Sequence, residues 1–126
     1  MAVVTGHSRG LGAAIAEQLL ARGVPVLGIA RQGNPDLARR FGAALREVRL
    51  DLGDSAALAT WLGGDTLRQF LNGAATALLV NNAGVLQPIG PLDTQDLSDV
   101  SRAVAVNVGA ALVLSAAFVQ MSAGGA

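Results

Sequence analysis

The sequence predicts an α/β chain: a doubly wound parallel sheet, incomplete, with the first four strands and their helices present. Three observations predict it. Short apolar runs rich in β-branched residues alternate with segments of helical period, in the order β-α-β-α-β-α-β-α. The first of these runs passes directly into a glycine-rich turn that opens a helix. Hydrophobic residues fill 52% of the 126 positions and the mean hydropathy is +0.48, enough apolar mass to bury one core. Parallel strands need crossovers, and right-handed crossovers pack back onto the sheet, so this alternation covers both faces with helices.

Ala2-Val3-Val4 reads as a buried parallel strand, and Thr5-Gly6-His7-Ser8-Arg9-Gly10-Leu11-Gly12 as the turn and helix start that follow it. Leu11, Ile15 and Leu19 then recur every four residues, as an amphipathic helix requires, and Arg22-Gly23 close that helix. Residues 24–30 form a second apolar run and a second buried strand. Asn34-Pro35-Asp36 supplies a capping residue, a proline suited to the first helical position and an early acid, opening a short helix that carries Leu37 and Phe41. Residues 48–50 read as the third strand. Asp54 caps a helix carrying Leu58, Trp61 and Leu62, closed by Gly63-Gly64, and residues 65–72 add one or two helical turns. Residues 77–80 are the fourth strand, ending in Asn81-Asn82-Ala83-Gly84. Pro88, Gly90 and Pro91 mark a loop, a long helix runs from Asp96 to about Met121, and residues 122–126 read as a loop-like tail.

Composition excludes several classes. Formal net charge is zero and no basic run occurs, so the electrostatic footprint of a nucleic-acid binder is missing. The chain has no cysteine, which rules out a disulfide framework and a thiolate metal site. That usage fits a reducing compartment, and the cytoplasm is the expected location. No basic segment followed by a long apolar stretch opens the chain, so no secretory signal is expected. The apolar run 103–119 is interrupted by Asn107, Gly109 and Ser115 and falls short of the ~20 residues of a comfortable span, so it reads as a buried helix. No metal site is expected. His7, the single histidine, occupies a variable loop position and reads as exposed. No repeat or linker divides the chain, so residues 1–126 read as one domain.

The glycine turn carries the chemistry. A bound phosphate needs bare backbone and the positive end of a helix dipole, and Gly6, Gly10 and Gly12 at this spacing supply both. Gly6 allows a tight turn, Gly10 lets backbone approach a pyrophosphate, and Gly12 permits close packing of helix on strand. In an open α/β sheet, ligands settle at the carboxyl ends of the strands where strand order reverses, and Gly6, Arg9, Arg31, Asp51 and Asn81 fall at such ends. A chain built for NAD presents an acid about 20 residues past the motif to hold the ribose 2′-hydroxyl. Here Arg31 stands in its place. A guanidinium pairs bidentately with a 2′-phosphate that a carboxylate would repel, so NADP is favoured over NAD. The competing reading of Arg9 and Arg31 is a pair of solvated surface arginines. Asn107 is a polar residue in a run of Val, Ala and Leu, where a buried amide needs a bonding partner.

T-G-x-x-x-G-x-G at Thr5 to Gly12, Asp51-Leu52 after the third strand, N-N-A-G at Asn81 to Gly84 and Asn107 in the last helix, taken in order, resemble the short-chain dehydrogenase/reductase family. The resemblance covers the whole chain but only the amino-terminal half of that family's Rossmann-type domain. It implies an oxidoreductase that moves hydride between NADPH and a carbonyl or alcohol substrate. It places Gly6, Ser8, Arg9, Gly10, Leu11, Gly12, Arg31, Asp51, Leu52, Asn81, Asn82, Ala83 and Gly84 at the cofactor. Arg9 resembles the second basic residue of NADP-preferring members, Asp51 the acceptor of the adenine amine and Leu52 the cover of its ring. Asn81 and Asn82 correspond to residues that steady the sheet and line the cofactor. Asn107 matches the catalytic asparagine, which holds a water in a proton relay. Beside these stand local readings: Asp51 as a helix cap, the paired asparagines as turn formers, and Asn107 as a kink or packing bond. Residues 85–92 are similar to carbonyl or sepiapterin-type reductase branches. The family also implies a homo-oligomer built through the long last helix.

Members of that family use a tyrosine as acid or base, a lysine in Y-x-x-x-K that lowers its pKa, and a serine that orients the carbonyl. This chain has no tyrosine, and all nine of its basic residues are arginines. General acid catalysis needs a positioned proton donor, so the 126-residue chain by itself is expected to be inactive. Ser115 and Ser122 lie too early to be the missing serine. Two explanations fit: an amino-terminal portion of a longer reductase, or a short chain that keeps the nucleotide fold without the chemistry, as a non-catalytic NADP-binding or interaction module. An apolar edge at the fourth strand and an unpartnered 104–119 face favour the first, and predict that the isolated chain self-associates. A methyltransferase would want an acid where Arg31 stands, and a P-loop nucleotidase needs a lysine that this chain lacks.

Overall fold

Ala2–Thr5 forms β1, and all four of its residues are buried, as an apolar run covered on both faces requires. Val26–Ala30 (β2) lies beside it, Leu45–Arg49 (β3) beside β2, and Leu78–Val80 (β4) on the other side of β1. Every pairing is parallel, with Val4 opposite Gly28 and Val80, and Gly28 opposite Glu47. A computed structural model of the chain describes residues 1–84 and 96–124. The helices are α1 (Gly10–Ala21), α2 (Pro35–Phe41), α3 (Ser55–Leu62), α4 (Thr66–Leu71), α5 (Leu97–Val104) and α6 (Ala111–Gly124). A π-helical stretch, Ala105–Ala110, joins α5 to α6.

Strand alternation divides the core in two. Val3, Leu27 and Ile29 point into a cluster with Leu58, Phe70 and Leu114 from α3, α4 and α6. Ala2, Val4 and Val26 point the opposite way, onto Ala16 and Leu20 of α1 and Leu37 of α2. This is a doubly wound Rossmann-type sheet. The chain moves outward from β1 to β2 to β3 and then crosses back to β4, so strand order reverses between β1 and β4. A crevice opens where the strands diverge.

Several sequence expectations are corrected. The buried stripe of α1 is Gly12, Ala16 and Leu20, while Leu11 is 69% exposed and Ile15 and Leu19 only flank the core. Small residues let the helix axis come close to the sheet, and periodicity of bulky side chains does not register them. β2 begins at Val26 rather than at residue 24, because Pro25 has no N–H to give a ladder. β3 is longer than residues 48–50: Arg46, Glu47 and Arg49 sit on a partly solvated strand at the border of the described sheet, where charge blunts pairing. The last helix runs through Ser122 to Gly124, since serine and alanine do not stop a helix. His7, expected at the surface, is fully buried.

The long apolar helix was expected to be buried, and only one stripe of it is. Val106, Ala110 and Leu114 pack toward the sheet, while Val104, Val108, Leu112, Val113 and Val119 are exposed. Residues 97–122 form a helix long and apolar enough to cross a membrane, and 17% of its most apolar window is buried. Leu78 of β4 is exposed as well. The loop of Pro88, Gly90 and Pro91, and the residue 85–92 resemblance, lie outside the described residues.

Candidate cofactor site

The crevice at the carboxyl ends of β1, β2 and β4 has a volume of about 770 Å³. Its floor is the turn between β1 and α1. Gly6 has φ +74° and Gly10 φ +60°, left-handed backbone that favours glycine. A Cβ on Gly12 would strike the carbonyl oxygen of Gly6 and lie 2.5 Å from Nδ2 of Asn82, so helix and strand meet here only through bare backbone. The first turn of α1 holds no acidic residue, and Arg9 at its N-cap makes no side-chain capping bond. The leading N–H groups of α1 are thus left to an anion.

Gly6, Ser8, Arg9, Gly10, Leu11, Arg31, Asp51, Leu52, Asn82, Ala83 and Gly84 all line the crevice. Gly12 acts one layer below, in packing. Asn81, grouped with the cofactor residues in the sequence, is turned away: its Nδ2 donates to Oγ of Ser115 on α6 at 2.9 Å. Successive side chains at a strand end point to opposite faces, so Asn82 meets the glycine turn and Asn81 meets the helix. Thr5 is a site residue that the sequence reading missed. Its buried hydroxyl accepts the N–H of Ala83 at 2.9 Å, tying the N-N-A-G turn to the end of β1.

Arg9 and Arg31 are exposed on the crevice walls, and neither makes an ion pair among the described residues. Asp51 is paired. Arg102 of α5 donates to both of its carboxylate oxygens, at 3.0 and 3.1 Å, and the Gly53 N–H donates to Oδ1 at 2.8 Å. The Arg102 hydrogen bond, more than the Gly53 amide, holds the Asp51 carboxyl below the ordinary aspartate value of 3.8. A carboxylate has about four lone-pair sites, and the donors among the described residues take three, which leaves one on Oδ2 for a further donor. Asp51 is not a helix cap; Asp54 caps α3, accepting the Ala57 N–H at 3.0 Å. Arg102 had no signal in the sequence, because it meets Asp51 across 51 positions of chain. Gly53 lies against the same guanidinium, which a Cβ there would push aside.

Asn107 was expected to be a buried amide and is instead exposed. It lies in the π-helical stretch, with Oδ1 3.1 Å from the position a Cβ on Gly84 would take, next to the crevice. π-bulges concentrate at functional sites.

The family described as "short chain dehydrogenase" matches residues 1–126. The chain belongs to the short-chain dehydrogenase/reductase family. It is 34% identical over 130 residues to a cis-4-hydroxycyclohexanecarboxylate dehydrogenase of Sinomonas cyclohexanicum, covering 99% of this chain and 51% of that protein. A short-chain dehydrogenase/reductase from Burkholderia vietnamiensis superposes with a TM-score of 0.94 at 57% identity, over 96% of this chain and 56% of that one. A metagenomic short-chain oxidoreductase in complex with NADP superposes with a TM-score of 0.82 at 36% identity, over 96% of this chain and 55% of that one. The chain spans about half the length of the first curated relatives it matches.

Proposed function

We propose that this chain is the cofactor-binding part of an NADP-dependent short-chain reductase acting on a small carbonyl or alcohol substrate. The carrying observation is electrostatic: the uncapped start of α1 and two guanidiniums without an ion pair among the described residues, Arg9 and Arg31, face one crevice, and an arginine follows β2 where an acid would select NAD. The NADP complex of the metagenomic relative supports this reading. The residues fit the group: backbone N–H groups for a diphosphate, guanidiniums for a 2′-phosphate, Leu52 and one free acceptor on Asp51 for adenine. When bound, the nicotinamide supplies the hydride. The chain's own residues bind and orient it, and Asn107 beside Gly84 is placed to hold a water for proton transfer.

The proton donor is a separate matter. With no tyrosine and no lysine, the 126 residues lack the acid–base pair the family uses, so catalysis needs residues supplied elsewhere. That same composition favours a second reading, a non-catalytic NADP-binding or interaction module. Fluorescence titration with NADPH and NADH tests cofactor choice: tighter binding of NADPH is expected, and equal binding rejects it. Reading the gene downstream of Ala126 separates the two functions, because a Y-x-x-x-K there supports the enzyme and a stop codon supports the module.

A further inference from the structure

His7 is fully buried, and none of the ligand-facing contacts above uses its side chain. Its ring lies over Gly28 of β2, where a Cβ would come within 2.5 Å of three ring atoms. Gly28 pairs with Val4 on one side and Glu47 on the other, so bare backbone lets the imidazole reach across β2 from the glycine turn to β3. Nε2 lies 2.6 Å from Oε2 of Glu47. An ionised carboxylate only accepts, so Nε2 donates. The same oxygen accepts the Asn34 N–H at 2.7 Å. Asn34 closes the circuit, its Nδ2 donating to the His7 carbonyl at 3.1 Å while its Oδ1 accepts the Leu37 N–H at 3.1 Å. Gly33 rests against the carboxylate too, since a Cβ there would be 3.2 Å from Oε2.

We propose that His7, Glu47 and Asn34 form a positioning clamp that fixes the gap between the Ser8–Gly10 turn and the 31–33 turn, and that this gap sets preference for a 2′-phosphorylated adenosine. The inference rests on the NADP reading. Arg9 follows His7 by two positions and Arg31 precedes Asn34 by three, so the clamp holds the backbones from which both guanidiniums reach. Charge-assisted hydrogen bonds are short and directional, and two cations bracket one dianion only at a set spacing. The three hydrogen bonds of this circuit, one buried and two at the buried edge of Glu47, tie its members together. Glu47 does not line the crevice, so the clamp also keeps its charge behind Gly33.

The test measures dissociation constants for 2′,5′-ADP and 5′-ADP by calorimetry, on the protein at its full natural length, with thermal melts of each variant. His7→Phe keeps a planar ring, somewhat larger than imidazole, and cannot donate; it is expected to cut the preference for 2′,5′-ADP about tenfold. Glu47→Gln keeps an oxygen that accepts both donors, and its preference is expected to stay within about threefold of wild type. A lowered Tm with an intact preference in His7→Phe overturns the clamp and leaves the NADP reading standing. Equal binding of the two nucleotides by the wild type overturns both. Should His7→Phe fail to fold, Asn34→Ser, which keeps a capping oxygen but is too short to reach the His7 carbonyl, is read in the same way: loss of preference supports the clamp and retention rejects it.

Discussion

Arg31 and Asp51 stand at the ends of neighbouring strands with opposite charges and opposite situations. Arg31 is exposed without an ion pair among the described residues, so its substitution acts on the ligand rather than on the fold. Replacing a guanidinium–phosphate hydrogen bond with a repelling carboxylate in Arg31→Asp should weaken NADPH about 10- to 100-fold and leave NADH nearly unchanged, as read by cofactor fluorescence. An unchanged ratio removes the assignment. Asp51 is already paired, and Arg102→Leu should let its carboxyl return toward the ordinary value, visible in a carboxyl NMR titration. Because its folded pKa is lowered, the stability this pair contributes is complete above 3.8 and is lost as pH falls through the lower folded value. The side chains are 34% and 40% exposed, so solvent screening limits the pair to less than about 1 kcal/mol. Gly6, Gly10, Arg31 and Asp51 were legible in the sequence because their signals are local. Arg102 and the burial of His7 were not, since their partners lie 51 and 40 positions away.

Helix α1 shows what periodicity reads and what it overlooks. Leu11, Ile15 and Leu19 establish that a helix is there, yet Gly12, Ala16 and Leu20 are what it buries. Bulky residues signal an apolar face, whereas the contact itself selects small residues where two backbones approach. Gly12→Ala should therefore cost more than the roughly 1–3 kcal/mol of ordinary overpacking, because the new methyl meets the Gly6 carbonyl, which a rotamer change does not relieve. Urea denaturation checks it, and a variant as stable as wild type contradicts the packing. On the opposite face, Leu114 is 1% exposed and anchors α6 to the sheet. Leu114→Ala should destabilise by about 2–5 kcal/mol in the same assay, far more than Leu112→Ala, which is 66% exposed. The start of β3 is hidden in the sequence for a related reason: Arg46, Glu47 and Arg49 suppress the apolar signal, although backbone pairing with β2 needs none of their side chains.

At the scale of the molecule, Val104, Val108, Leu112, Val113 and Val119 of the long helix and Leu78 of β4 are large apolar side chains exposed among the described residues, and a contiguous apolar face of this kind marks an association surface. The 126-residue chain alone should self-associate in sedimentation velocity, and Leu112→Glu with Val119→Arg should shift it toward monomer; a wild-type monomer at high concentration rejects this. By itself the sequence determined the order of strands and helices, the glycine turn at the start of α1, the N-N-A-G turn and the family, because each is encoded within a few consecutive residues. Only the tertiary structure decided that Asp51 is held by Arg102, that Asn81 turns to Ser115, that Asn107 is exposed, and that His7 reaches Glu47 across a bare Gly28. Those pairings join residues far apart in the chain, and what brings them together is the packing of helices on a sheet whose strand order differs from the order of synthesis.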